Sequence, residues 1–187
     1  PKGIQRVAVS SNGDILISSG QEIRKLAAPF VGLRNDSDTD KDGSGEVARF
    51  VSPEYLAAAP GGRLIVADHP RGGAFNGHLF YWKGLFLRAI APDGTVSTLL
   101  ERDNFGVVSG LATDGDGNIY ISEMNAGAPI GIPGGAIYKL APSGTMTVIA
   151  GTASPAANNS GSADGVGPAA RFFYPYLAGI DEARNLY

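Results

Sequence analysis

The chain has 187 residues, of which 43% are hydrophobic and 18% charged, with a formal net charge of −3 and no cysteine. That length suits one domain or part of a larger one, and the apolar share is enough for a core. A disulfide scaffold, a thiolate zinc site and a cysteine nucleophile are excluded. The mildly acidic balance argues against a nucleic-acid surface. No run approaches the ~18 apolar residues of a membrane helix, so no membrane insertion is expected. The 27 glycines and 12 prolines describe a chain that turns often.

Taken in order, the elements repeat. Ile4 to Leu16, Pro53 to Ile65, Val108 to Tyr120 and Pro175 to Tyr187 align without gaps. Each holds a short apolar stretch, a polar or glycine turn, and a second apolar alternation. That pattern predicts strand, tight turn, strand. In the first copy Glu22 to Leu26 adds a third strand, and a fourth is obscure around Phe30 to Leu33. Leu85 to Ile90 and Thr95 to Leu100 flank Pro92-Asp93-Gly94; Ala136 to Leu140 and Thr145 to Ile149 flank Pro142-Ser143-Gly144. Four antiparallel strands in roughly 40–50 residues is the period of a propeller blade. The first strand of each copy is rich in small residues, among them Ala8, Ala57, Ala58, Ala112, Ala178 and Gly179. Small residues suit strands that converge on an axis.

The fold class expected is therefore all-β: a β-propeller of four-stranded antiparallel blades, incomplete in this chain. Blade 1 is placed at about residues 4–40, blade 2 at about 50–101, blade 3 at about 107–151, and the start of a fourth at about 172–187. The apolar alternation at Asn185-Leu186-Tyr187 predicts that the polypeptide continues. Propellers close with at least about four blades. Closure then needs further blades, from the same polypeptide or a second subunit.

Two segments carry a specific resemblance. Asp42-Gly43-Ser44-Gly45-Glu46-Val47-Ala48-Arg49-Phe50 precedes Pro53, and Asp164-Gly165-Val166-Gly167-Pro168-Ala169-Ala170-Arg171-Phe172 precedes Pro175. Both fit D-G-x-G-x-x-A-R-F-x-x-P. With Gly117-Asn118-Ile119-Tyr120-Ile121-Ser122-Glu123, the chain resembles an NHL-repeat β-propeller over nearly its whole length. It departs from that pattern at Arg184, where glycine is expected, and in the inserts after Asp68 and Glu123.

In such a blade the first-to-second and third-to-fourth turns share one end, and both are short here. The long connections, His69 to Gly84, Met124 to Gly135, Asn35 to Ser52 and Thr152 to Tyr174, fall at the other end. Rigid scaffolds place function on such loops. The leading expectation is a non-catalytic, extracytoplasmic scaffold whose long-loop face binds a protein or glycan.

Four groups of residues are candidates there. Asp38, Asp40 and Asp42 alternate ahead of Ser44 and Glu46. Alternating aspartates with a glycine turn could supply oxygens for calcium, but the favoured reading of the same residues is a solvated acidic loop. Ser19, Asp68 and Glu123 share one position at the end of the second strand. Converging carboxylates there, with His69 and His78 near in sequence, would hold a metal or act as acid and base. Enzymatic six-bladed propellers use axial residues in this way, so a metal-dependent lyase or lactonase is the alternative function. The other reading has Asp68 and Glu123 bonding backbone amides of their own loops. Tyr81 and Trp82, in an aromatic insert, are either a stacking platform for a sugar or peptide or packing between blades. His78 to Trp82 and Leu85 to Ile90 are expected to form a hairpin about Lys83-Gly84. Finally, Asp42 with Arg49, and Asp164 with Arg171, are expected to pair within their loops, with Phe50 and Phe172 plugging between blades.

Overall fold

The computed structural model describes residues 6–9, 13–19, 22–25, 28–31, 40–69, 74–75, 78–79, 84–103, 105–124, 134–153 and 160–187. The strands are β1 (Arg6–Val9), β2 (Ile15–Ser19), β3 (Glu22–Lys25), β4 (Ala28–Val31), β5 (Pro53–Ala59), β6 (Arg63–Asp68), β7 (Ala74–Phe75), β8 (His78–Leu79), β9 (Leu85–Ile90), β10 (Val96–Arg102), β11 (Val107–Thr113), β12 (Ile119–Met124), β13 (Gly135–Leu140) and β14 (Met146–Gly151). Apart from two three-residue 3-10 turns, the described residues hold no helix. Three four-stranded sheets follow one another, β1-β2-β3-β4, β5-β6-β9-β10 and β11-β12-β13-β14, with the strands of each in chain order. The fold class is all-β and propeller-like, built from blade-type antiparallel meanders.

Burial explains the order of strands within a sheet. In the run Arg63–Asp68 every residue after the first is buried, as befits a strand covered on both faces. β12 repeats this, with only Met124 half-exposed. β10 buries Val96 and leaves most of its other residues exposed, as an edge strand does. Two third-to-fourth turns are built alike, Ala91-Pro92-Asp93-Gly94-Thr95 and Ala141-Pro142-Ser143-Gly144-Thr145. In each, the glycine takes φ of 86° or 85°, and the first residue's amide donates to the last residue's carbonyl at 2.8 or 2.9 Å. Proline sets the bend and glycine accepts the left-handed residue that closes it.

The chain divides into two compact units. The first comprises residues 1–71 and 85–101, the second residues 72–84 and 102–187. In the first, Leu16, Ile23, Ala48, Phe50, Leu64, Val66, Ile90 and Val96 form one core, with Ala8 and Leu56 packed against it. Phe50 is 1% exposed and joins residues of both sheets of that unit. Burying such a ring stabilises by about 1.5–3 kcal/mol. In the second, Ala112, Tyr120 and Leu177 pack with Ile149, Ile180 and Leu186. Gly110 lies on β11 where an added Cβ would stand 2.3 Å from the Leu177 carbonyl oxygen. Only glycine permits that approach, so one reason for small residues in the first strand is contact with the incoming chain.

Two sequence expectations change. The insert hairpin is β7 against β8, with Ala74 opposite Leu79 and Phe75 opposite His78. Leu85–Ile90, the third strand of the second sheet, pairs instead with β6, where every residue but Phe86 is buried. The obscure fourth strand of the first sheet is Ala28–Val31.

Candidate functional site

The end of the second strand carries a bonded carboxylate in both the second and the third sheet. Asp68 closes β6, fully buried. Its carboxylate accepts from the Val51 amide at 3.1 Å through each oxygen and from the Ser52 amide at 2.6 Å. Arg88 of β9 lies 3.6 Å from Asp68 Oδ2. Glu123 holds the same position on β12. Glu123 Oε1 accepts from the Gly106 amide at 2.6 Å, and Tyr138 of β13 donates its hydroxyl to Oε2 at 2.6 Å. Val51 and Gly106 each precede their carboxylate by 17 residues. A carboxylate on the second strand, an amide ahead of the first and a polar side chain from the third thus form one repeated latch.

The register makes the equivalence plain. Asp68 faces Phe86 and Glu123 faces Ala136, so Arg88 and Tyr138 each stand two residues further along the third strand. Sequence reasoning missed both partners. Arginine within Leu85-Phe86-Leu87-Arg88-Ala89-Ile90 was the available signal, since a charge in an apolar strand needs a partner.

Burial pushes the Asp68 carboxyl up to about 7, against the Val51 and Ser52 amides and the Arg88 charge, which pull it down. Burial raises the Tyr138 hydroxyl, and the Glu123 charge adds to the effect. Tyr138 is therefore held as a neutral donor. His69 is also fully buried, and neither ring nitrogen finds a hydrogen-bond partner among the described residues. Burial drives its imidazole down to about 4, so it is neutral at pH 7. Its amide donates to the Ser52 carbonyl at 3.1 Å, beside the Asp68 latch.

Of the acidic set, Asp38 lies outside the described residues. Asp40 is half-buried, and Asp42 and Glu46 are exposed. Asp42 does not meet Arg49. Its Oδ1 accepts from Arg88 at 2.7 Å and from the Thr98 hydroxyl at 3.0 Å, and its Oδ2 from the Thr98 amide at 2.8 Å. Burial opposes its ionisation, but the Thr98 amide and the Arg88 guanidinium together hold its carboxyl below the usual range. The Ser44 carbonyl accepts the Val47 and Ala48 amides, both at 2.8 Å. Arg49 instead donates to the carbonyls of Glu46, Val47 and Ala48 at 2.8–2.9 Å. Arg171 does the same for Pro168 and Ala170, while Asp164 is exposed. In both loops the arginine satisfies the carbonyls of its own turn, where the donor fork reaches several acceptors at once. Phe172 is half-buried beside Gly151.

Residues 81–82 lie outside the described residues, and of Ser19 and His78 only the strand positions are described. Glu123 and Tyr138 also line a cleft of about 180 Å³ with Arg102, Phe105 and Met146. The Phe105 and Tyr138 rings pack tilted at 46° with centroids 5.0 Å apart, and Arg102 donates to Met146 Sδ at 3.3 Å. Among the described residues no three His, Cys, Asp or Glu side chains are grouped as a metal site.

Sequence reasoning also missed an aspartate clamp used twice. Asp114 accepts the amides of Asp116 and Asn118, the Asn118 side chain and the Tyr120 hydroxyl, at 2.7–3.0 Å. Asp181 accepts the Asn185 amide, its side chain and the Tyr187 hydroxyl at 2.8–2.9 Å. The spelling D-x-x-x-N-x-Y was its sequence signal. Arg184 sits in the second clamp at φ 68°, matching Gly117 at 83°. Its guanidinium pairs with Asp116. A further network joins β11 and β12 to the chain at 175–177: Ser109 donates to Ser122 Oγ at 2.9 Å or to the Pro175 carbonyl, and the Leu177 amide donates to Ser122 Oγ at 3.1 Å.

No family model matches the chain, and no curated protein matches it. Among solved structures, one described as a candidate gluconolactonase aligns over 78% of this chain and 48% of its own, at 22% identity and a TM-score of 0.46. A protein of unknown function from Bacteroides thetaiotaomicron aligns over 96% of this chain and 64% of its own, at 16% identity and a TM-score of 0.40. The chain thus spans less than two thirds of the length of either. The repeated meander, rather than either likeness, sets the fold class.

Proposed function

We propose that this chain is part of an NHL-type propeller that works as a non-catalytic binding scaffold, engaging a protein or glycan through its long connections. One observation supports this reading over a metal-dependent lactonase or lyase. Asp68 and Glu123, the carboxylates such an enzyme would use, already hold backbone amides, with Arg88 and Tyr138 against them. A general base needs a lone pair facing substrate; both oxygens of each of these carboxylates already accept from the protein's own donors. The long connections leave from the same ends, residues 69–84 after β6 and 125–134 after β12, whereas turns at the opposite ends are short. The three four-stranded sheets of the described residues are fewer than a closed propeller needs. The reading therefore includes further blades from the same polypeptide or a second subunit; an extracytoplasmic location is a separate part of the proposal.

Lactone hydrolysis by the full-length protein with zinc, manganese or calcium is expected to stay at background. On glycan and peptide arrays, binding is expected to vanish when residues 71–83 are replaced by a short Gly/Ser linker. Metal-dependent hydrolysis lost in Glu123→Gln, or binding that survives the replacement, overturns the proposal.

A further inference from the structure

The scaffold function makes no use of the cleft beside Glu123. Strand register builds that cleft. Tyr138 of β13 faces Val148 of β14, and Leu140 faces Met146. Tyr138, Val148 and Met146 therefore share one side of the third sheet, two residues apart along their strands. Phe105 sets its ring against that of Tyr138, and Ala153 and Arg102 complete a space of about 180 Å³. Phe105 and Tyr138 are 3% and 5% exposed, whereas Arg102 is open to solvent and so marks the mouth.

The polar groups divide by depth. Glu123, 1% exposed, accepts the Gly106 amide through Oε1 and the Tyr138 hydroxyl through Oε2. Its buried charge repels any anion that enters deeply. Arg102 has donors to spare. A guanidinium carries five N–H groups, and among the described residues this one gives a bond only to the Met146 thioether, a weak acceptor. Its charge also acts on the Tyr138 hydroxyl, so it stands close to the ring surface. A ligand that suits this arrangement has an apolar body inside and one negative group outside. Its planar partner on a guanidinium fork is a carboxylate.

Size narrows the body. A cavity of about 150 Å³ takes up benzene, and this cleft is larger by about one substituent. Drug-sized ligands occupy roughly 300–1,000 Å³, which excludes an oligosaccharide or a folded peptide from the interior. The tilted pair of Phe105 and Tyr138 offers a further ring the offset or edge contacts that aromatic groups prefer.

We propose that this cleft binds a small, free aromatic monocarboxylate, its ring among Phe105, Tyr138 and Met146 and its carboxylate on the Arg102 fork. The site stands whether or not the long connections hold a partner.

The test uses the full-length protein with sodium benzoate as probe. Calorimetric titration is expected to show one saturable site with a Kd of about 0.1 mM, within the ceiling for so few atoms. Acetate and neutral benzyl alcohol are expected to bind about tenfold more weakly or worse. The Met146 methyl resonance is expected to shift as benzoate is added. Arg102→Gln changes an exposed residue and is expected to weaken benzoate about tenfold while leaving benzyl alcohol unaffected. Val148→Phe fills the cleft from the last strand of the sheet and is expected to abolish both. A peptide ending in phenylalanine is expected to bind no better than benzoate; tighter binding overturns the assignment to a free acid. Benzoate that does not saturate by about 5 mM overturns the proposal, as does acetate that binds equally well. Benzoate affinity unchanged in Arg102→Gln, or binding that leaves the Met146 methyl unmoved, also overturns it.

Discussion

Asp68→Asn sets two opposing effects on Asp68 against each other. Burial favours the neutral carboxyl; the Val51 and Ser52 amides and Arg88 favour the carboxylate. Burial prevails, leaving the group near 7 in the fold against 3.8 in an unfolded chain. A carboxyl raised in the fold stabilises most at low pH, and that stability drains away as pH climbs toward the folded value. Each pH unit in that window is worth about 1.4 kcal/mol. Between pH 5 and pH 8 the wild type should therefore lose about 3 kcal/mol through this group alone. Asparagine has the same shape and no titration. Other groups, His69 included, titrate alike in both proteins and cancel in the difference. Urea unfolding of both proteins, followed by circular dichroism at pH 5 and pH 8, reads the result. The penalty of Asp68→Asn should shrink by about 3 kcal/mol on going to pH 8. A penalty that grows with pH would show that the amides and Arg88 outweigh burial, and one that stays constant would show that Asp68 does not titrate in this range; either refutes the reasoning.

Other expectations concern single sites. His69, held near 4 against an ordinary 6.5, should cost stability as pH falls from 6.5 to 4, by about 3 kcal/mol; His69→Phe should abolish that slope in acid unfolding, and the His69 ring resonances should move only below about pH 5. Gly110→Ala forces a Cβ onto the Leu177 carbonyl and should cost about 1–3 kcal/mol by melting, with faster amide exchange at Leu177. Arg184→Val places a β-branched residue at φ 68° and should melt below wild type by roughly 1–2 kcal/mol, whereas Arg184→Gly should match or exceed it. Asp114→Ala strips acceptors from Asn118 and Tyr120 and should cost about 1–3 kcal/mol; equal unfolding midpoints would refute the clamp.

The meander was legible because its signals are local. Pro92-Asp93-Gly94 and Pro142-Ser143-Gly144 announce turns, and the apolar runs beside them announce strands. The position shared by Asp68 and Glu123 was legible from the repeat, but its bonding was not: Val51 and Arg88 meet Asp68 from either side along the chain, and only strand register brings them together. Asp42 was misassigned for the same reason. Arg49 is near in sequence, yet the loop turns its guanidinium onto carbonyls and delivers Asp42 to Arg88 on another strand. Fold rests on contacts between neighbours in sequence, and the site rests on contacts between strangers.

The latch also fixes where this architecture can be lengthened. Tying residue 51 to residue 68, and residue 106 to residue 123, makes the opening hairpin of each sheet a closed ring of set circumference. An inserted residue inside that ring must be expelled at the turn or break the closure. Beyond His69 and Met124, which still pair with the neighbouring chain, the closure imposes no such constraint, and lengthening a loop there costs only a slowly growing closure entropy. New binding segments grafted after His69 or Met124 leave the ring untouched. Those grafted between the first two strands do not.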